Sequence, residues 1–250
     1  MAGRDQLHGL LCNDFESLLM SYGFKATTDG RTVQIDDEYP VLQFSGSGKI
    51  IAGRDHVFQE AIKTTEPPWL FIRPADGSPF FMGMRFLGGP GNWYGVRIHS
   101  VSSQYHNHGG SGRDYGAWSY ILGKWATEYS KDTYGMRVWD ANGRLLYDAG
   151  SRYIKLSFQF TRWRYGYRHD SGGWSYVMHY LDLPQSASMS NASNYLLINP
   201  FITESTIEPS FLIARRKIKI TGNQLLSVTQ TSWKGGGDLI QPGIIGQASN

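Results

Sequence analysis

Cysteine is almost missing from this chain: Cys12 is the only one in 250 residues. No disulfide can close within the chain and no thiolate cluster can hold zinc, which fits folding in a reducing compartment. Long apolar runs are missing as well. No stretch approaches the roughly 18 consecutive apolar residues of a bilayer-spanning helix, so no membrane insertion is expected. Residues 7–11 are interrupted by His8 and Gly9 and followed by Asn13, Asp14 and Glu16, and do not read as a secretory leader. A strong charge of one sign is lacking too. Lys and Arg number 24 against 21 Asp and Glu, a formal net charge of +3, and no long-range field demands a polyanion.

Catalytic signatures are equally scarce. Gly46-Ser47-Gly48-Lys49 lacks the spacing of a nucleotide loop and has Ile50 where a hydroxyl would hold magnesium. Gly88-Gly89-Pro90-Gly91 reads as a turn, because its proline removes an amide that a phosphate cradle needs. No Gly-x-Ser-x-Gly elbow presents a nucleophile. Asp36, Asp37 and Glu38 are adjacent, while Asp114, Glu128 and Asp170 are scattered; none forms a recognisable pair flanking a sugar bond. The expectation is a protein that is not an enzyme and carries no cofactor.

What the chain has is aromatics, glycine and turns. Aromatic residues make up 14%, with 8 Trp and 15 Tyr, and Gly reaches 30, a composition suited to twisted sheets joined by tight reversals. One pattern recurs. Tyr22-Gly23-Phe24-Lys25, followed by Asp29-Gly30-Arg31 and Asp36, returns as Tyr134-Gly135-Met136-Arg137, Asn142-Gly143-Arg144 and Asp148. Each copy reads as a β-hairpin turning at Asp-Gly or Asn-Gly, dipeptides that reach positive φ cheaply. The second copy has one more residue before its turn, so the two need not share register.

Taken as openings of two units, the copies predict a mostly β fold of two β-sandwich or jelly-roll-like units, residues 20–130 and 131–232. Before them, residues 1–19 form a leader. Leu7, Leu10, Leu11, Phe15, Leu18 and Leu19 recur at helical spacing, so residues 5–19 read as a short amphipathic helix and equally as an appendage ahead of a start at Met20. Residues 39–44 read as a strand with a Gly- and Ser-rich stretch behind it. Residues 117–129 fit strand or helix, residues 185–194 read as an exposed loop, and the Gly-rich tail 233–250 as a segment lying over another subunit.

Three groups of residues are candidates for contacts. Trp163, Arg164, Tyr165, Tyr167, Trp174 and Tyr176 lie in the densest aromatic and cationic interval, the mixture found at protein interfaces and sugar-facing surfaces. Burial in a sheet core is the competing reading for its tryptophans. Arg215, Arg216 and Lys217 make a positive run that reads either as an anion contact or as the solvated edge of a strand. His106 and His108 would point to one face of an extended segment, and three chains around an axis would bring six imidazoles to one metal ion. A solvent-exposed loop is the plainer reading. The same rings could stack single-stranded nucleic acid, but the near-neutral balance argues against it, and no nucleic acid is expected.

At Met20-Ser21-Tyr22-Gly23-Phe24 with Asp29-Gly30-Arg31, and at Tyr134-Gly135-Met136-Arg137-Val138-Trp139-Asp140 with Asn142-Gly143-Arg144, the chain resembles small β-rich proteins of tailed bacteriophages, among them minor tail and tail-fibre-associated proteins. The resemblance implies a structural virion component that joins tail-tip or fibre proteins and is assembled in the host bacterial cytoplasm. It brings no catalytic residues with it. A homo-oligomer is expected, a trimer where the histidine pair lies on its axis. The alternative is a carbohydrate- or receptor-binding domain that attaches to a host surface glycan.

Overall fold

The structure, a computed structural model, describes residues 23–28, 31–36, 41–77, 79–102, 114–125, 128–160, 162–171, 174–199, 204–207, 212–231 and 243–248. The proposed helix over residues 5–19 lies outside them. The described chain is almost entirely strand. In order it forms β1 (Gly23–Thr28), β2 (Arg31–Asp36), β3 (Gln43–Ile51), β4 (Asp55–Ile62), β5 (Trp69–Asp76), β6 (Phe80–Gly89), β7 (Asn92–Val101) and β8 (Ala117–Lys124). There follow β9 (Arg137–Trp139), β10 (Leu145–Asp148), β11 (Ile154–Phe160), β12 (Arg164–Ser171) and β13 (Trp174–Asp182). A 3-10 turn at Gln185–Ala187 precedes β14 (Tyr195–Leu197), β15 (Glu204–Ile207), β16 (Leu212–Thr221), β17 (Gln224–Thr231) and β18 (Gly243–Ala248). No helix among the described residues is long and apolar enough to cross a membrane.

The chain divides into two units, but not at residue 131. One comprises Met1–Leu42 with Trp125–Ser151, the other Gln43–Lys124 with Arg152–Asn250. Both copies of the repeated pattern therefore fall in the same unit, instead of opening two successive domains. β1 and β2 pair from Gly23↔Asp36 to Thr28↔Arg31, and β9 and β10 from Arg137↔Asp148 to Trp139↔Leu145 with a register shift on the way. Within this unit the backbones of β2 and β10 approach one another.

The second unit is sandwich-like. Its two antiparallel sheets run β11-β18-β14-β5-β8-β3 and β12-β13-β17-β16-β6-β7-β4, with β15 added to β16. Each sheet takes strands from both sides of the expected boundary. The joins are β5 to β14, through Ile72↔Leu196 and Phe71↔Leu197, and β6 to β16, through Phe81↔Ile218 and Phe80↔Lys219. One apolar cluster draws on both sheets, with Ile50, Leu70, Trp118 and Leu122 from one and Phe81, Ile98 and Ile218 from the other. Trp118 is fully buried and its indole N–H donates to Ser100 Oγ at 3.2 Å. A second cluster, including Phe80, Met82, Tyr176, Met178 and Val228, belongs wholly to the eight-stranded sheet. Alternation puts Phe81 in the first cluster and its neighbours Phe80 and Met82 in the second.

Several local expectations change. The Gly- and Ser-rich stretch behind residue 44 is paired within β3 as far as residue 51, and Gly48 lies opposite Tyr120, where an added Cβ would come within 3.0 Å of the phenol ring. The ambiguous segment after residue 117 is strand β8, buried along most of its length. The stretch 185–194 is pinned down. Ala187 and Met189 enter the core, and buried Asn194 donates from Nδ2 to the carbonyls of Ser186 and Ser188. The tail supplies β18, an inner strand between β11 and β14, with Ile245 fully buried. An extended backbone paired on both sides satisfies its amides whatever its side-chain hydropathy, which is how a Gly-rich end becomes core.

Candidate contact surfaces

The aromatic interval splits by strand face. Trp163 stands edge-on to Phe160, ring centres 5.7 Å apart, and packs against the inter-sheet core. Trp174 packs on the second cluster, and Tyr176 is a buried member of it. Of the three, Tyr176 is a core side chain of the second unit and the two tryptophans are half-buried against the core. Arg164, Tyr165 and Tyr167 are exposed, on a strand that has a pairing partner on one side only among the described residues. Tyr165 stands edge-on to the buried His179, centres 5.8 Å apart, while the Arg164 guanidinium lies 5.6 Å from the Tyr180 ring centre and 3.7 Å from Asp182. Farther along, Arg168 Nε donates to Asp170 at 3.0 Å, and Ser175 Oγ donates to the same carboxylate oxygen at 2.6 Å. Asp170 is thus occupied in fixing the strand.

The basic run is not a solvated edge. β16 pairs with β17 on one side and with β6 and β15 on the other, so its middle is interior to the sheet. Lys217 is fully buried, and Lys219 places its ammonium 5.1 Å from the centre of the Phe80 ring. Alternation explains this, since Ile218 and Ile220 take the inter-sheet face and the lysines the other. Arg215 and Arg216 lie in the same strand, opposite Gln230 and Thr229 of β17; their side chains lie outside the described residues, as do His106 and His108. Among the described residues no group of three or more His, Cys, Asp or Glu is placed to hold a metal ion. Asp114 faces His99 Nδ1 at 3.3 Å and accepts from the Ser100 amide at 3.1 Å, a structural tie between β7 and the segment entering β8.

A second surface lies in the first unit, and sequence reasoning missed its side chains. Tyr129, Tyr134 and Trp139 are 64%, 84% and 46% exposed. Trp139 Nε1 donates to the Tyr129 hydroxyl at 3.1 Å, and the Arg137 guanidinium lies 5.5 Å from the Tyr129 ring centre. Beneath them Asp148 is buried and accepts four hydrogen bonds, each 2.9 Å long, from the Ser130 amide, the Ser130 hydroxyl, Arg137 Nε and the Gly150 amide. Burial pushes the Asp148 pKa up, but those four donors outweigh it and hold the carboxyl at about 2. Next to Trp139, Asp140 closes the turn. It accepts from the amides of Asn142 and Arg144 and from Arg144 Nε, and the Arg144 amide leads the causes that lower its pKa. Gly143 takes φ +79°, the left-handed conformation that the Asn-Gly step predicts. The signal for this site was the repeated motif itself, which contains Tyr134, Arg137 and Asp148; the exposure of its rings was not legible in it.

Compared with models of known protein families, with curated proteins and with solved structures, the chain matches none.

Proposed function

We propose that this protein is a structural component of a bacteriophage tail, a homo-oligomer that joins tail-tip or fibre proteins and is built into the particle in the bacterial cytoplasm. The observation that carries the reading is β12, where Arg164, Tyr165 and Tyr167 are exposed on a strand partnered on one side among the described residues. Tyrosine and arginine are enriched where proteins meet, because they combine rigid contact area with directional hydrogen bonds. A strand with a vacant side can add a neighbour's strand through backbone bonds. The resemblance of the two hairpin motifs to tail proteins supplies the setting.

The test is recovery of particles from the producing bacterium, with their proteins identified and the native mass of the assembly measured. The chain should travel with purified tails, and Tyr165→Ala combined with Tyr167→Ala should reduce its incorporation while the isolated variant stays folded. Abundant free monomer and none in the particles would reject the role.

A further inference from the structure

We infer that the exposed rings of the first unit form a carbohydrate-binding site, with Trp139 and Tyr129 as the platform on which one pyranose ring stacks. The inference does not rest on the tail role and concerns a different surface from β12. A pyranose has an apolar face of C–H groups and a rim of hydroxyls, so it needs flat apolar area with a polar group at the border. The platform has both. Trp139 and Tyr129 are tied to each other at 3.1 Å through the indole N–H and the phenol oxygen, and the phenol, having accepted, keeps its own hydrogen to donate to a sugar hydroxyl. Arg137 lies over the Tyr129 ring, yet that ring is 64% exposed, which leaves a face for a ligand.

The rings are also held in advance. Arg137 is anchored by the buried Asp148 carboxylate at 2.9 Å, and Asp148 by the backbone of residues 130 and 150. Binding therefore need not first immobilise the rings, which is the usual cost of a surface site.

Size decides against a protein partner here. At roughly 150–250 Å² per aromatic side chain, the exposed fractions of Tyr129 and Trp139 offer on the order of 200 Å², about a quarter of the ~800 Å² per partner of a stable protein interface. It is enough for one sugar ring. Charge decides against nucleic acid, since residues 125–151 contain four carboxylates and three cationic side chains, with Arg137 and Arg144 already in ion pairs.

The experiment titrates the full chain with a panel of methyl pyranosides and short bacterial polysaccharide fragments at millimolar concentrations, read by tryptophan fluorescence and by saturation-transfer NMR. At least one glycan should bind. Trp139→Ala should weaken it by about tenfold or more, and Tyr129→Phe, which keeps the ring but removes the hydroxyl, by several-fold. Tyr165→Ala should leave binding unchanged. Trp139 and Tyr129 are exposed, and unchanged circular dichroism would show that their variants still fold. Binding to none of the panel, or binding that survives Trp139→Ala, overturns the inference. So does a Trp139→Ala variant that loses a co-purifying protein while no glycan binds the parent.

Discussion

Asp148 accepts the Nε hydrogen of Arg137 at 2.9 Å, and this bond joins the buried base of the first unit to its exposed rings. Asp148→Asn keeps the shape but not the charge, and its amide nitrogen cannot accept. At least one of the four donors then loses its partner, at a cost on the order of 2 kcal/mol. Amide hydrogen exchange should quicken in β9 and β10, with β5 and β8 of the second unit unchanged. The same carboxyl sets an acid limit. Its folded pKa of about 2 lies below the ordinary 3.8, so its contribution is full above 3.8 and is lost as pH falls through about 2. Asp148→Asn should flatten that acid limb.

A second pH dependence belongs to the second unit, where His56 Nε2 and the Tyr120 hydroxyl lie 3.0 Å apart. Burial lowers the His56 pKa below 6.5 and raises that of Tyr120 above 10.0. The histidine's contribution is present above 6.5 and lost as pH falls through its depressed folded value. The tyrosine's is present below 10.0 and lost as pH rises through its raised one. Denaturant midpoints should show a plateau between these limits. His56→Phe should remove this residue's part of the acid-side fall, and Tyr120→Phe its part of the alkaline one.

Two glycines should respond in opposite ways to alanine. A Cβ on Gly95 would strike the His56 carbonyl oxygen and come within 3.1 Å of Leu87, and β4 is held there by the Val57↔Gly95 pairing. Gly95→Ala should cost on the order of 2 kcal/mol. Gly46, at the β3 irregularity, has nothing within 4 Å of such a Cβ, and Gly46→Ala should change stability by less than ~0.5 kcal/mol. Urea unfolding of both variants checks the contrast.

Lys217 is buried for its full length, and its stem fills space in the eight-stranded sheet. Lys217→Ala should cost about 2–4 kcal/mol through the cavity it leaves. Lys217→Met should cost less, since it restores most of the volume. Equal losses for the two in thermal unfolding would show that the stem packs against little.

By itself the sequence determined what is local. Asn142-Gly143 dictated a reversal because glycine reaches positive φ without strain, and period-two alternation along residues 217–220 dictated a strand with two different faces. The recurrence of the hairpin pattern was plain in the letters. Only the tertiary structure decided that both hairpins share one unit, that β5 pairs with β14 and β6 with β16 across the midpoint of the chain, and that β18 lies inside its sheet. Strand pairing is made by backbone groups that every residue carries, so a sequence pattern specifies that a strand forms and leaves its neighbours open. Which face is wet is also a property of the assembled sheets. The alternation that sets Lys217 apart from Ile218 does not say that its own face is shielded there, and so a lysine that reads as surface ends up interior.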